Sequence, residues 1–183
     1  MKTMTCRQLG GPCDLAHRGE SADDVINAQD QHLKQAEKEG DAAHQPARDE
    51  MKSRWRHPKK SLGWYRDMKQ AFADLPADFR AAAGEVVIRV DDFADEETLA
   101  HFGMEDPFDL TGLYSGVDIG RRDSLGPAAE PSRIFLYRRP ILDEWCERGD
   151  VGLAEIITHV LIHEIGHHFG LDDDQIHAIE DAD

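Results

Sequence analysis

The chain has 183 residues, three cysteines and a formal net charge of −16 at neutral pH. This length suits one domain of ordinary size, or a small domain with an appendage. No apolar run approaches the roughly 20 residues of a membrane span, and the N-terminus lacks the apolar core of a signal peptide. We therefore expect a cytoplasmic protein without a membrane partner, and the acidic balance argues against nucleic acid as a partner.

The cysteines show no paired spacing. Cys6, Cys13 and Cys146 are an odd set without a C-x-x-C motif, which is typical of a reducing compartment. Cys6, Cys13 and His17 are candidate metal ligands, but three scattered residues favour ordinary thiols.

Helices are predicted for the first third of the chain. Residues 21–40 are polar and helix-forming, with few apolar anchors such as Val25 and Leu33. A second helix is predicted over residues 46–55, and the following His57-Pro58 pair ends it. We expect residues 1–57 to form a helical, hairpin-like appendage that offers a surface to a protein partner.

The remaining chain alternates between helical and strand patterns. Helices are predicted over residues 64–75 and 95–102 and after Pro140, and strands over residues 85–90, 112–119 and 133–138. A last helix is predicted to begin after Asp150, which can cap its start. We predict an α+β fold in which residues 64–183 form one domain, with a small mixed sheet packed on that last helix.

The last helix carries the most informative motif, because residues 163–173 read H-E-x-x-H-x-x-G-x-x-D. Residues four apart share one face of a helix, so His163 and His167 can share one Zn2+. Glu164 is turned by roughly 100° around the axis, where its carboxylate can take a proton from bound water. The spacing therefore predicts a base beside a Lewis acid, in a site between this helix and an edge strand.

The third ligand is expected beyond the helix end. Gly170 can adopt the left-handed conformation that ends a helix and turns the chain back, so that Asp173 approaches the metal. Asp172, Asp174 and Glu180 are the alternatives, and the spacing favours Asp173.

Three more histidines lie near the motif. His159 cannot share a metal with His167, because they are about 12 Å apart along the axis and zinc ligands lie about 2 Å from the metal. We expect His159 at the surface or behind the ligands, and His168 in a structural role. His177 is expected to be solvated, with a substrate-facing role as the alternative.

The order of landmarks from Phe72 to Ile176 resembles the small bacterial minimal-zincin family of zinc metallopeptidases. The landmarks are Leu75-Pro76, EVVIRV, DLTGLY, IFLYRRP and the HExxH motif. The resemblance implies a compact zincin-like fold with His163, His167 and Asp173 on zinc and Glu164 as general base. Unlike the metzincins, the chain has no Met after Asp173, so no Met-turn is present. Residues 1–55, through MTCRQLGGPCD and GDAAHQPARDEM, are more weakly similar to an uncharacterised bacterial family of helical proteins.

Peptide-bond hydrolysis is the leading functional hypothesis. Three protein ligands would leave one zinc position for water, and Glu164 would accept its proton during attack on the substrate carbonyl. An extended peptide could pair with an exposed strand, for which residues 133–138 are the candidate, although a plain sheet strand is equally consistent with the pattern. Tyr114, Tyr137 and His177 are candidates for oxyanion stabilisation.

Two alternatives remain open. A noncatalytic, zinc-stabilised protein-binding module would have a fourth protein ligand, whereas a catalytic site would keep that position open. A hydrolase of nonpeptide amides is the other alternative. In either hydrolase, acidic residues around Asp172 and Asp174 predict a preference for basic or neutral substrates.

Overall fold

The computed structural model describes residues 1–56, 62–83, 86–117 and 131–180. Within those ranges, helices surround a three-stranded sheet, which confirms the predicted α+β class. The elements in chain order are β1 (Lys2–Thr5), β2 (Ala16–Gly19), α1 (Ala22–Lys38), a 3-10 helix (Ala42–His44), α2 (Gln45–Arg56), α3 (Leu62–Asp74), α4 (Ala77–Ala83), β3 (Val87–Asp91), α5 (Glu96–Phe102), a second 3-10 helix (Pro107–Asp109), β4 (Gly112–Ser115), β5 (Arg133–Tyr137), α6 (Arg138–Arg148), α7 (Leu153–His168) and α8 (Asp173–Glu180).

The N-terminal part combines the two predicted helices with a β-hairpin that the sequence did not predict. Strands β1 and β2 pair antiparallel, and each has only four residues, too few for a clear period-two pattern. Helix α1 begins after Ser21, whose hydroxyl accepts from the backbone N–H of Asp24 while the Asp24 carboxylate accepts from that of Ser21. The predicted helix end at His57-Pro58 lies outside the described residues.

The three-stranded sheet has the order β3-β5-β4, with β5 parallel to β3 and antiparallel to β4. The predicted mixed sheet is therefore confirmed. The suggestion that residues 133–138 form an exposed, peptide-pairing strand is wrong, because β5 has a neighbour on both sides and Ile134 and Leu136 are fully buried. Within the described residues, β4 is an edge strand and pairs only with β5. Residues 118–119, the predicted end of β4, lie outside that part.

Helix α7 begins at Leu153 with Gly152 as its N-cap, so the prediction that Asp150 caps it is wrong. Helix α7 packs against β4 and β5, and its residues Ile157 and Leu161 are fully buried. Helix α6 begins at Arg138, two residues earlier than predicted, because proline is tolerated in the first turn of a helix. No helix in the described ranges has the length and apolarity required to cross a bilayer.

The N-terminal part packs on the remainder of the molecule. Helix α1 contacts α6, and Lys2 Nζ lies 3.2 Å from Asp143 Oδ2 on that helix. One apolar cluster includes Val25 of α1 and Leu161 of α7. The division into residues 1–57 and 64–183 stays a prediction, and the structure adds that the two parts share apolar contacts.

Candidate metal centre

The last two turns of α7 present two imidazoles side by side. The ring centroids of His163 and His167 are 5.0 Å apart, and both side chains are partly exposed. This follows from their i, i+4 spacing on one helix face. The helix ends as predicted, because Gly170 has φ +83° and the N–H of Leu171 donates to Gly166 O at 3.1 Å.

Asp173 joins His163 and His167 as a third potential metal donor, and its position depends on Asp172, which caps helix α8. Asp172 Oδ1 accepts from the backbone N–H of Gln175 at 2.9 Å, and Gln175 Oε1 accepts from the N–H of Asp172. Asp173 then stands in the first turn of α8 and faces back toward α7. Its Oδ1 lies 3.2 Å from His163 Nε2 and 3.2 Å from His167 Nε2. Asp174 is exposed and does not belong to this donor group. The Glu180 side chain lies outside the described part of the structure.

The donor set suits a zinc ion. One donor atom from each of His163, His167 and Asp173 lies within 4.8 Å of the others. His167 Nδ1 lies 3.0 Å from the carbonyl oxygen of Leu171, which can only accept a hydrogen bond. Nδ1 therefore carries the proton, and the lone pair on Nε2 faces Asp173 and the shared point, as in many histidine metal ligands.

Close packing between α7 and α8 holds Asp173 in reach. A Cβ atom at Gly166 would lie 2.7 Å from Ile176 Cδ1, a contact that would require the buried Ile176 side chain or helix α8 to shift. Ile176 is buried on α8, three residues after Asp173. Gly166 therefore has a packing role in positioning the third donor, beyond being tolerated within the helix.

Glu164 is a buried carboxyl beside the three donors, with 7% of its surface exposed. Burial raises its pKa to about 7, the backbone N–H of Tyr114 opposes this rise by hydrogen-bonding the carboxylate, and the negative charge of Asp173 adds to it. A carboxyl with this pKa can accept and return a proton near neutral pH.

A cleft of about 660 Å³ runs between α7 and β4 above these residues. Phe102, Met104 and Leu113 contribute apolar surface, and exposed His159 lines the cleft without joining the donor group. Asp109 and Glu144 add carboxylates, and no Lys or Arg is found among the described lining residues. The cleft is therefore acidic, with an apolar wall.

His168 and Tyr114 form a part-buried polar contact, and Tyr114 also lines the cleft. His168 is 1% exposed, as expected for a structural residue, and its Nδ1 lies 3.0 Å from the Tyr114 hydroxyl. That hydroxyl donates to Val117 O at 2.8 Å and lies 2.9 Å from Ser132 Oγ. Its one proton is used within the fold, which argues against an oxyanion role for Tyr114.

The two other candidates for oxyanion stabilisation differ in position. Tyr137 is buried, and burial raises its pKa to about 12; it is not among the lining residues of the cleft. His177 is exposed on α8, with its ring centroid 5.6 Å from that of His163. Of the three, His177 has its ring beside a candidate metal ligand and Tyr114 lines the cleft, whereas neither Tyr137 nor His177 is among the described lining residues.

Comparison with known proteins agrees with this geometry. No curated protein matches the chain. The profile of the zincin-like metallopeptidase family matches residues 83–182, a range that contains the three-stranded sheet, the cleft, Glu164 and the three metal donors. Because that range is more than half of the chain, this protein belongs to the zincin-like metallopeptidase family.

Proposed function

We propose that the protein is a zinc-dependent peptidase that uses Glu164 as its general base. The observation that carries this proposal is the arrangement of three metal donors beside one buried carboxyl at the floor of an open cleft. Catalytic zinc sites take three protein ligands and leave one position for water or substrate. Among the described residues the group has three donors, which favours the catalytic alternative over a closed, structural site.

His163, His167 and Asp173 would hold the metal. Zinc, when bound, would polarise the carbonyl of the scissile bond and lower the pKa of a water molecule. The Leu171 carbonyl keeps the His167 ring in the tautomer that offers Nε2, and Asp172 keeps α8 in place by capping it. These contacts prepare the donor atoms before metal arrives.

Glu164 would move the proton. The backbone N–H of Tyr114 orients its carboxylate, and burial keeps bulk water away from it. In a peptidase mechanism the carboxylate accepts a proton from the attacking water and then delivers it to the departing amine. Both transfers need one group with a pKa near neutrality.

The edge of β4 offers backbone groups for an extended substrate. The N–H of Tyr137 donates to Thr111 O at 2.8 Å, and in an antiparallel pair the bonding alternates along the strand. The backbone groups of Leu113 then face β5, whereas those of Gly112 and Tyr114 face away from β5. The Tyr114 N–H already bonds the Glu164 carboxylate, so within the described residues the backbone groups of Gly112 and the Tyr114 carbonyl are the ones a peptide could pair with. A peptide pairing there would lie across the metal donors.

The charge of the cleft supports neutral or basic peptides as the substrate class. Asp109 and Glu144 lie on its walls, although Glu144 also pairs with Arg148 at 2.6 Å. His177, beside His163, is the candidate to donate a hydrogen bond to the developing oxyanion. A cytoplasmic location and a protein partner for residues 1–57 stay predictions.

The decisive experiment compares wild-type protein with Glu164→Gln at equal zinc occupancy, using a peptide library as substrate. We expect the variant to keep its zinc and to lose turnover by a factor on the order of 100 to 10,000, because general-base catalysis is removed. Glu155→Gln is the matched control, since Glu155 is an exposed glutamate on the same helix. Unchanged turnover in Glu164→Gln would contradict the assigned base. Zinc without cleavage in either protein would favour the binding-module alternative.

A further inference from the structure

A second cluster of metal-ligand side chains lies in the N-terminal part of the chain. Cys6 follows β1, Cys13 precedes β2, His32 lies on α1, and His44 ends the first 3-10 helix. One donor atom from each lies within 4.8 Å of the others. Cys13 Sγ is 3.3 Å from His32 Nε2, and His32 Nε2 is 3.2 Å from His44 Nε2.

These separations match those around one tetrahedral metal ion. With Zn–S bonds of about 2.3 Å and Zn–N bonds of about 2.0–2.1 Å, tetrahedral angles place S and N about 3.6 Å apart and two N atoms about 3.3 Å apart. Hydrogen bonds are one way to form these contacts, and a bound cation is another. His32 Nε2 carries either one proton or one lone pair, so it cannot donate to one neighbour and accept from the other at the same time. A cation between the donor atoms would accept an electron pair from each of them.

Neighbouring groups orient the histidine and cysteine ligands. His44 Nδ1 lies 2.7 Å from Asp41 Oδ2, so Nδ1 carries the proton and Nε2 is left to face the cluster. On the opposite side, Cys6 is fully buried, and the Gln29 side-chain amide donates to its backbone carbonyl at 3.3 Å. A Cβ atom at Gly11 would clash with Cys6 Sγ, so the chain passes directly over the sulfur at a glycine.

We propose that Cys6, Cys13, His32 and His44 bind one zinc ion in a closed, structural site. Four protein ligands leave no position for a substrate, which distinguishes this site from the one on α7. The ligands cross-link the β-hairpin, α1 and the turn before α2, so the metal would stabilise an N-terminal part whose own apolar core is small. The proposal does not depend on peptidase activity.

Metal analysis of the purified full chain provides the first test. We expect two zinc ions per wild-type chain, one in Cys13→Ser, and one in the double variant His163→Ala, His167→Ala. Cys146→Ala is the matched control, because Cys146 is a buried cysteine outside the cluster, and it should keep both ions. A single zinc in the wild-type chain that disappears with His163 and His167 would overturn the proposal.

Cobalt substitution provides a test that can be read in the wild-type protein, and the double variant adds to it. Thiolate ligands give Co2+ a near-ultraviolet charge-transfer absorption, and the site on α7 has no thiolate. We expect this absorption in the wild-type protein and in the His163, His167 double variant. Its absence from the wild-type protein, or a Cys6–Cys13 disulfide in the freshly purified chain, would refute the N-terminal site.

Discussion

Gly112 of β4 lies directly over the carboxylate of Glu164. A Cβ atom at Gly112 would lie 2.7 Å from Glu164 Oε1 and 2.7 Å from Val160 Cγ1. This close approach of strand to helix buries the carboxylate and brings the backbone N–H of Tyr114 within hydrogen-bonding reach of it. Gly112, which lies 52 residues before Glu164 in the chain, therefore determines how closely β4 packs on the proposed base.

Replacing Gly112 by alanine should impair catalysis more than metal binding. The added methyl group must displace either the Glu164 carboxylate or the buried Val160 side chain. We expect kcat to fall at least about tenfold and the free energy of unfolding to drop by about 1–3 kcal/mol, as for other overpacked cores. Peptide turnover, zinc content and urea unfolding measure these effects. Gly152→Ala is the control, because nothing lies within 4 Å of its added Cβ atom. Full turnover in Gly112→Ala would mean that the carboxylate position is not critical.

Asp173 should contribute to zinc affinity far more than Asp174 does. Asp173 Oδ1 is 3.2 Å from both histidine Nε2 atoms, whereas Asp174 is exposed outside the donor group. We expect Asp173→Ala to weaken zinc binding at the α7 site by at least about 100-fold, since even residues behind metal ligands contribute 10–100-fold. Competition with a chromogenic chelator, in protein that also carries Cys13→Ser, isolates this site. Equal affinities for the Asp173→Ala and Asp174→Ala variants would exclude Asp173 as a ligand.

Glu164 should destabilise the metal-free fold at neutral pH. Its carboxyl has a pKa of about 7 when folded against a reference value of 4.5. The folded state therefore binds more protons between these values, and its stability falls as pH rises through that window. Above about pH 7 the loss in free energy of unfolding reaches its full value, about 3 kcal/mol for this change in the pKa of Glu164.

Chelator-treated Glu164→Gln tests this penalty because the glutamine can still accept from the Tyr114 N–H but carries no charge. Urea unfolding at about pH 5 and about pH 8 should show that the stability advantage of the variant grows with pH. An advantage that stays constant across this range would show that the carboxyl does not titrate there.

Acidic peptides should be poor substrates. Asp109 and Glu144 line the cleft, and no described lining residue is Lys or Arg. We expect the KM of basic peptides to be lower than that of matched acidic peptides, with the difference shrinking as salt screens the charges. Glu144→Gln should narrow the difference as well. Equal cleavage of both classes at low salt would contradict this preference.

The sequence by itself determined the elements whose pattern is local. The i, i+4 spacing of His163 and His167 and the glycine at position 170 are properties of one helix and its end, and the structure shows both. The same holds for α1, α2 and the β-branched strand β3, because a periodicity of 3.6 or a β-branched run is visible within a short window. The preference for Asp173 over Asp172 and Asp174 as third ligand came from spacing and stays a prediction, and the capping of α8 by Asp172 is a physical reason for it.

Tertiary structure alone decided everything that depends on pairing between distant segments. Nothing within residues 133–137 shows that they form the central strand, because strand order depends on which segments pair with β5 on its two edges. Three further contacts also depend on tertiary structure. They are the pairing of β1 with β2, the packing of Gly112 against Glu164 and the packing of α8 against Gly166. The convergence of Cys6 and Cys13 with His32 and His44 is another, since four elements must pack together before the donor atoms meet. The sequence offered Cys6, Cys13 and His17 as candidate ligands and favoured ordinary thiols, whereas in the structure His32 and His44, and not His17, join the two cysteines. Scattered spacing hid this group because long-range packing, and not local periodicity, brings its members together.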